Sequence, residues 1–296
     1  MLNDKVAVVT GASSGIGAAL SILLASKKAK VVLSARRSIE LEEVAGRIIK
    51  TGGSCMALVC DITKRQPAER LIHQTVEEFG RIDILVNNAG RGHFASVEDT
   101  TDEMIQNMFA LNVFPLWYTT RPSLAYMKNQ GSGHIINVAS MAGKLGYPYN
   151  SAYVAAKHAC VGFTHALRQE LVETGIHATV VCPAGVSTEW ASATEGGSMQ
   201  TFFSESGRHI KRIASERAIS LPAIEGLKTP DSIAAAILDC IYRPVPEVFT
   251  HTGSKEFVLL AMQDREQAEY HQLPIVLGER EVYRKIKGGS ETTGTE

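Results

Sequence analysis

Six short apolar runs alternate with longer helical patterns through the first 183 residues, and this alternation constrains the fold more than any other feature. The runs have the length of strands and cover residues 5–10, 30–35, 55–61, 82–87, 134–140 and 177–182. Helical patterns fall between them, over 15–25, 38–50, 65–79, 101–129 and 151–173. Because the runs are apolar at consecutive positions, both faces of the sheet must be covered. The pattern predicts an α/β fold: a doubly wound parallel sheet with helices on both faces.

The chain changes character after the sixth run. Residues 187–209 are rich in Ser, Thr and Gly but contain three large aromatic residues, Trp190, Phe202 and Phe203. This composition is typical of a mobile lid with a few apolar anchors, and we place the lid at about 187–228. Beyond it we predict a helix over 229–243, a seventh strand over 247–251 and a last helix over 255–270.

The composition shows no linker between domains, so residues 1–286 are predicted to form a single domain. The segment 287–296 is polar and rich in Gly, Ser and Thr, which predicts a disordered tail. A net charge of −1 gives no basic surface for nucleic acid or for an acidic membrane. No apolar run reaches the ~20 residues that cross a bilayer, and the N-terminus shows no signal-peptide pattern, so we expect a cytoplasmic protein.

Cysteine and histidine usage argues against a metal site. The five cysteines form no C-x-x-C pair and no Cys/His spacing typical of zinc ligands. We expect free thiols in a reducing compartment. His158 and His165 lie seven positions apart on one predicted helix, but no third ligand accompanies them.

A glycine-rich loop joins the first strand to the first helix. In “VVTGASSGIG” the glycines are Gly11, Gly15 and Gly17. A glycine loop between a strand and a helix lets a pyrophosphate approach the main chain and the N-terminus of the helix. A turn that merely needs glycine is the alternative, but the position of the loop in an alternating chain favours a dinucleotide site.

The end of the second strand indicates which dinucleotide. An NAD-binding sheet places an acid about 20 residues after the loop, whereas this chain has Arg36 and Arg37 and no acid between residues 31 and 39. Guanidinium groups pair with a 2′-phosphate, so NADP is favoured over NAD. A plain surface arginine pair is the alternative. Asp61, at the end of the third strand, either accepts from the adenine amino group or caps a helix.

A phenol and an ammonium lie four residues apart in “SAYVAAKHA”, at Tyr153 and Lys157. That spacing puts both groups on one face of a helix. Packing of the tyrosine in the core, with the lysine reaching water, would give the same pattern. The two readings differ in what else converges on that face.

Together these segments resemble the short-chain dehydrogenases/reductases over roughly residues 3–250. The motifs occur in order: “TGASSGIG” (10–17), “NNAG” (87–90), Asn112 in “LNVF”, Ser140 in “INVAS” and “YVAAK” (153–157). The resemblance implies a Rossmann-type sheet of about seven strands and a catalytic tetrad of Asn112, Ser140, Tyr153 and Lys157. It also implies the residues that bind the dinucleotide: Gly11, Ser13, Ser14, Gly15, Ile16, Gly17, Arg36, Arg37, Asp61, Asn88, Ala89, Gly90, Tyr153, Lys157, Pro183, Val186 and Thr188.

The implied chemistry is hydride transfer between NADP(H) and a carbonyl or secondary alcohol. Lys157 and the positive nicotinamide are expected to lower the pKa of Tyr153, which then acts as general acid or base. Ser140 is expected to hydrogen-bond the reacting oxygen, and Asn112 to hold a water near Lys157. A non-catalytic dinucleotide sensor or scaffold on the same fold is the alternative. The Gly-x-x-x-Gly-x-Gly spacing argues against sugar-nucleotide epimerases.

Two further expectations concern the loop after the sixth strand and the substrate. Members of the family usually have Pro-Gly there, whereas Pro183 precedes Ala184 and the glycine follows one position later. Alanine resists positive φ, which leaves the path of this loop open. Six aromatic residues are candidates for an apolar substrate pocket, with ordinary packing as the alternative: His93, Tyr147, Tyr149, Trp190, Phe202 and Phe203. The resemblance also implies a homodimer or homotetramer through the helices over 101–129 and 151–173.

Overall fold

The sheet is parallel throughout and has the strand order β3-β2-β1-β4-β5-β6-β7. The structure, a computed structural model, describes residues 2–196 and 199–291. The strands are β1 Val6–Thr10, β2 Lys30–Ala35, β3 Ser54–Val59, β4 Ile84–Asn87, β5 Gly133–Val138, β6 Ile176–Cys182 and β7 Glu247–Phe249. The predicted fold class is therefore confirmed.

Helices cover both faces of this sheet. They are α1 Gly15–Ser26, α2 Ser38–Lys50, α3 Arg65–Phe79, α4 Asp102–Asn112, α5 Phe114–Gln130, α6 Ser151–Glu170, α7 Met199–Glu216, α8 Pro230–Tyr242, α9 Ser254–Gln263 and α10 Arg265–Glu291. Alternate residues of β1 show the two faces: Val9 packs with α1, α2 and α8, and Val8 packs with α3, α5 and α6. Both layers exclude water, which explains why the strands are apolar at consecutive positions.

The strand order reverses between β1 and β4. In an open parallel sheet such a reversal leaves a crevice beyond the carboxyl ends of the strands, where ligands bind. The segments that leave β1, β4, β5 and β6 at this edge are those in which the sequence places its candidate site residues. The topology thus gathers segments that are distant in the chain.

Two helical segments differ from the prediction. The region 101–129 is two helices, α4 and α5, which meet at Val113; Pro115 follows, and its missing N–H favours a new helix start there. The last helix, predicted over 255–270, is also two: α9 ends at Gln263, and α10 continues to Glu291. The predicted disorder of 287–291 is therefore wrong. The rest of that predicted tail, residues 292–296, lies outside the described residues.

The structure also bears on the expectations for the cysteines, for membrane-spanning helices and for the lid. All five cysteines are free thiols, and four of them are buried. In residues 2–196 and 199–291, no helix is both long and apolar enough to cross a bilayer. The predicted lid region contains α7, which packs along α10.

Candidate active site

The first turn of α1 offers unpaired N–H groups to a ligand. Ser14 is the N-cap residue, but its side chain makes no capping hydrogen bond, and the first turn has no acid. The caps of α4 and α8 differ, because Thr101 and Thr229 accept from backbone N–H groups and acids follow both. The start of α1 therefore retains the positive end of its dipole for an anion.

The glycines of the loop leave no room for side chains. A Cβ on Gly17 would lie 2.3 Å from the carbonyl oxygen of Gly11, and a Cβ on Gly11 would lie 2.8 Å from Cα of Ala89. Gly11 and Gly15 also have positive φ, at +67° and +56°. A Cβ on Gly15 would approach Cγ2 of Thr188 to 3.2 Å. The loop thus packs against both “NNAG” and the segment after β6, and this cradle fits a pyrophosphate.

Thr10 and Asn88 hold the loop in register with β4. The amide of Asn88 donates to the carbonyl oxygens of Thr10, at 2.9 Å, and Gly11, at 3.4 Å. The hydroxyl of Thr10 accepts from the N–H groups of Asn88 and Ala89. Sequence reasoning missed Thr10, although a threonine at the end of β1, directly before the first glycine, was visible. Ile16 turns instead into the core.

Of the two predicted arginines, the structure brings Arg37 to the loop. Its guanidinium donates to the hydroxyls of Ser14, at 2.5 Å, and Ser13, at 3.2 Å, and pairs with Glu189 at 3.3 Å. Arg36 is exposed at the end of β2. Asp61 accepts from the N–H and hydroxyl of Thr63 in a local turn. Lys64 is the N-cap residue of α3, so the alternative that Asp61 caps this helix is wrong, and its contact with the adenine stays a prediction.

Tyr153, Lys157 and Ser140 come together beyond β5. The Lys157 ammonium donates to the carbonyl oxygen of Val138 at 3.0 Å and lies 5.6 Å from the centre of the Tyr153 ring. Ser140 hydrogen-bonds Tyr153, and its hydroxyl also accepts from the N–H of Ala142. The tyrosine and the lysine share one face of α6, and both are buried.

Asn112 joins this group at the break between α4 and α5. Its amide donates to the carbonyl oxygens of Met108, at 3.0 Å, and Arg91, at 3.2 Å, while its own buried oxygen has no partner. A Cβ on Gly90 would lie 2.7 Å from that oxygen and 3.3 Å from Nζ of Lys157. Glycine at position 90 thus lets the asparagine and the lysine approach each other. An unpartnered buried acceptor beside an ammonium is suited to a bound water.

Burial dominates the pKa of Tyr153 in the protein without a dinucleotide. Burial raises the pKa of this phenol above its ordinary value, and the hydrogen bond from Ser140 acts in the opposite direction. Burial also lowers the pKa of the Lys157 ammonium, against the nearby thiols of Cys160 and Cys182. The expected lowering of the Tyr153 pKa by Lys157 together with a positive nicotinamide concerns the dinucleotide-bound protein and stays a prediction.

His251 fixes the loop in which the chain departs from Pro-Gly. Its Nδ1 accepts from the N–H of Ala184 at 3.2 Å, and its Nε2 donates to the carbonyl oxygen of Gly185 at 2.8 Å. Neither loop residue has positive φ, so alanine fits. These contacts assign a neutral imidazole with the proton on Nε2. The buried ring of His251 is a positioning group that the sequence did not reveal.

Residues on either side of Ala184 and Gly185 make further contacts that hold the same loop. The carbonyl oxygen of Pro183 accepts from the N–H of Met141 at 2.8 Å, which ties the loop to the segment after Ser140. Val186 pairs with Lys228 in a short bridge, and the ammonium of Lys228 donates to the carbonyl oxygen of Thr250. The loop that carries Val186 and Thr188 is thus held between the glycine loop and the segments at 228 and 251.

An aromatic cluster covers the other side of Tyr153. The ring of Trp190 lies 5.3 Å from that of Tyr153, and Tyr147 packs in the same apolar group. Behind Trp190, Phe202 packs on Phe94 at 4.7 Å, and Tyr149 stacks on Tyr283 at 3.9 Å. Phe203 lies beside Phe202, with ring centres 5.8 Å apart, and is 48% exposed, so its place in a pocket stays a prediction.

Three buried residues in or beside this aromatic cluster were not predicted from the sequence: Phe94, Tyr283 and the acid Glu279. The last two lie in the part of α10 for which no helix was predicted. His93, which was predicted, is buried beside Thr100, and its Nδ1 has no partner. Burial lowers the pKa of His93, so it is neutral at physiological pH.

Comparison with known proteins identifies relatives of the chain. The model of the short chain dehydrogenase family matches residues 5–197. A ketoacyl reductase, HetN, from Nostoc sp. is 33% identical over 253 residues, which cover 84% of this chain and 79% of that protein.

Two solved structures are similar over most of their length. A short chain dehydrogenase/reductase from Burkholderia phymatum in complex with NAD has a TM-score of 0.77 at 26% identity, covering 90% of this chain and 95% of that one. An actinorhodin polyketide ketoreductase variant with NADPH has a TM-score of 0.72 at 29% identity, covering 83% and 95%. The neighbours thus include one protein with NAD and one with NADPH.

Proposed function

The chain belongs to the short-chain dehydrogenase/reductase family, and from that premise we propose that it is an NADP(H)-dependent oxidoreductase that interconverts a carbonyl and a secondary alcohol. The observation that carries this proposal is the convergence of Ser140, Tyr153 and Lys157 at the carboxyl end of β5. All three are polar, and two are buried in a cleft whose other wall is aromatic. Burial of a tyrosine–lysine pair without a functional need would be costly.

The glycine loop, Asn88, Ala89 and Thr188 would hold the dinucleotide along the edge of the sheet. The unpaired N–H groups of α1 would bind the pyrophosphate, and the Arg37 guanidinium, held on Ser13 and Ser14, would bind a 2′-phosphate. The Lys157 ammonium is suited to the ribose next to the nicotinamide. When bound, the nicotinamide supplies or accepts the hydride, and in its oxidised form it adds a positive charge.

Tyr153 then moves the proton. Its hydroxyl donates to the carbonyl oxygen as the alcohol forms and takes the proton back in the reverse direction. The hydroxyl of Ser140 stabilises the charge that develops on the same oxygen. Lys157 restores the proton through the water that the free oxygen of Asn112 can hold. Because burial raises the pKa of Tyr153, the protein alone favours the protonated phenol, which is the form needed for carbonyl reduction.

Arg37 supports NADP over NAD. Its guanidinium is hydrogen-bonded to the two serines of the loop. The two acids that pair with it, Glu40 and Glu189, are both exposed to solvent. A 2′-phosphate can replace these carboxylates as the partner, and a charge-assisted bond to phosphate is strong. We expect reduction to be the direction of the reaction in the cell. The relative from Nostoc is also named a reductase.

The test compares Tyr153→Phe with Tyr242→Phe, which removes a hydroxyl from an exposed tyrosine of α8. Turnover of a carbonyl panel is followed by NADPH and NADH absorbance, and dinucleotide binding by fluorescence. Loss of the acid should lower kcat by about 10²–10⁴-fold in Tyr153→Phe with the dinucleotide still bound, while Tyr242→Phe stays near wild type. Full turnover by Tyr153→Phe would overturn the mechanism. Binding without turnover of any compound by the wild type would favour the sensor alternative.

A further inference from the structure

A buried carboxyl group on α10 has no role in the proposed chemistry. Glu279 is only 7% exposed, yet no described residue donates a hydrogen bond to it or forms an ion pair with it. Its oxygens are also not among the fully enclosed polar atoms that lack a partner, so a water-sized group can reach the carboxyl group. Removing a carboxyl group from water without a partner is costly, which calls for an explanation.

The position of Glu279 on α10 turns it toward the aromatic cluster. Val282 and Tyr283 follow three and four residues later and therefore lie on the same face of the helix. Both pack in the group that contains Trp190 and Tyr149. The hydroxyl of Tyr283 donates to Asp99 at 3.0 Å and accepts from the N–H of Ser96, so this part of α10 is fixed on the substrate side.

Tyr147 links Glu279 to the catalytic tyrosine. A charge on Glu279 raises the pKa of both Tyr147 and Tyr149, after the larger effect of burial, so the carboxyl group lies near both rings. Tyr147 in turn packs in one apolar group with Tyr153 and Trp190. Arg280, the next residue, hydrogen-bonds Tyr149 and leaves Glu279 without a cation. The carboxyl group therefore lies close to the aromatic residues that pack beside the catalytic tyrosine.

Burial favours the protonated form of Glu279 at neutral pH. Burial raises its pKa to about 8, and no other influence opposes this. A protonated carboxyl group carries one O–H donor and retains an acceptor oxygen. It can thus bind an uncharged oxygen function, whereas a substrate carboxylate placed next to it would force one of the two groups to stay protonated.

We propose that Glu279 hydrogen-bonds a second oxygen function of the substrate, away from the reacting carbonyl. The site then takes uncharged ketones that carry an ester, hydroxyl or further carbonyl oxygen. This inference rests on the proposed function, because it names the substrate class of the same site. It assigns a recognition role to the one buried acid of α10 among the described residues.

Three ketones of similar size test this assignment: ethyl 3-oxobutanoate, hexan-2-one and the 3-oxobutanoate anion. The ratio of kcat/KM for the ester to that for hexan-2-one is expected to be about tenfold in the wild type, the value of roughly one hydrogen bond. Glu279→Leu should bring this ratio near one through KM, and Glu279→Gln, which keeps a donor and an acceptor, should restore most of it. Glu269→Gln, at an exposed position of α10, is the matched control.

A pH series gives a second readout. Above about pH 8 the ester-to-ketone ratio of the wild type should fall as Glu279 ionises, and that of Glu279→Gln should not. Burial raises the pKa of Tyr147 to about 12 and also raises that of Tyr149, so neither neighbour titrates in this range. Any titration of the catalytic tyrosine affects kcat/KM for the ester and for hexan-2-one equally, so it cancels in their ratio.

Two failures can be told apart by calorimetric binding of the ester to the NADP-loaded enzyme. If the wild type binds the ester more tightly than Glu279→Leu does but turns over none of the three ketones, the proposed function fails and the inference stands. If Glu279→Leu lowers kcat/KM for all ketones alike, or changes neither ratio nor binding, Glu279 has only a packing role and the inference is wrong.

Discussion

The two sides of the cleft are built by different means. On the dinucleotide side, backbone groups, glycines and short polar side chains from residues 10–17 and 87–90 hold one another, with distances fixed to a few tenths of an ångström. On the substrate side, large side chains from distant segments of the chain pack together. Phe94 and Tyr283, for example, are more than 180 residues apart in the sequence. Main-chain geometry tolerates few changes, whereas an aromatic cluster can exchange members as long as volume is conserved.

This contrast predicts where mutations act. A change on the dinucleotide side should weaken NADPH binding equally for every carbonyl compound. A change on the substrate side should alter stability or the choice of carbonyl compound and leave dinucleotide affinity near its original value.

The largest effect is expected for Gly17→Ala. Its Cβ would lie 2.3 Å from the carbonyl oxygen of Gly11, and that atom belongs to the rigid loop, so the loop must move. A displacement of the phosphate cradle on the order of 1 Å should weaken NADPH binding about 100-fold. Fluorescence titration measures the dissociation constant.

The matched control is Gly46→Ala in α2, where a Cβ meets nothing within 4 Å. Alanine favours a helix interior over glycine by roughly 0.5–1 kcal/mol, so this variant should melt slightly higher with unchanged affinity. If Gly17→Ala binds NADPH within about threefold of the wild type, main-chain geometry does not define the dinucleotide side as we argue.

The same contrast explains how far the sequence was informative. The glycine loop, “NNAG” and Ser140 lie in short segments at strand ends, and the Tyr153–Lys157 pair lies near the start of α6. The alternating pattern predicted the sheet that gathers these segments, and the resemblance to the family implied their roles. The substrate side depends on which distant surfaces meet. Nothing local in “GEREVYRK” indicates that Tyr283 stacks on Tyr149, and α10 carries Pro274, which masked its helical pattern. The burial that raises the pKa of Tyr153 in the protein alone also follows from packing, which the spacing of residues does not encode.

On the substrate side, Glu279 predicts a pH-dependent cost in stability. Its pKa is about 8 in the folded chain against 4.5 for an ordinary glutamate, so the folded state binds the proton more tightly. The contribution is fully present below about pH 4.5 and is lost as pH rises through about 8. The free energy of unfolding should therefore fall by on the order of 2–4 kcal/mol over that window.

Urea denaturation of the wild type and of Glu279→Gln at several pH values measures this slope. The difference between the two curves isolates Glu279 from other groups, including His93, whose lowered pKa acts with the opposite sign. NADPH affinity of Glu279→Gln should stay near that of the wild type. Parallel curves would show that the carboxyl group is not buried in solution.

A smaller effect on the dinucleotide side is expected from His251→Ala. Loss of the two bonds to Ala184 and Gly185 frees the loop that carries Thr188, and the KM for NADPH should rise about tenfold with a smaller change in kcat. His251→Gln offers a donor and an acceptor and should recover part of the loss. His177→Ala, at an exposed position of β6, is the control. An equal fall in kcat for all three variants would refute positioning by His251.

The smallest effect separates two neighbours in the chain, Arg36 and Arg37. The guanidinium of Arg37 is held on Ser13 and Ser14, while Arg36 is exposed at the strand end, so the two arginines should contribute unequally to a 2′-phosphate site. Arg37→Ala should lower the preference for NADPH over NADH about fivefold to tenfold, the value of one charge-assisted hydrogen bond partly offset by Glu40 and Glu189. Arg36→Ala should lower it by less than about threefold.

The kcat/KM ratio for the two dinucleotides with one carbonyl compound measures both variants, and raised salt should reduce the effect because the group is partly exposed. Equal losses would mean that both arginines bind the phosphate. A wild-type preference for NADH would show instead that Glu40 or Glu189 accepts from the ribose hydroxyls and that Arg37 only closes the loop. In that case main-chain geometry would still define the dinucleotide side. The preference between NADPH and NADH, however, would depend on side chains whose roles cannot be predicted from the sequence at the end of β2.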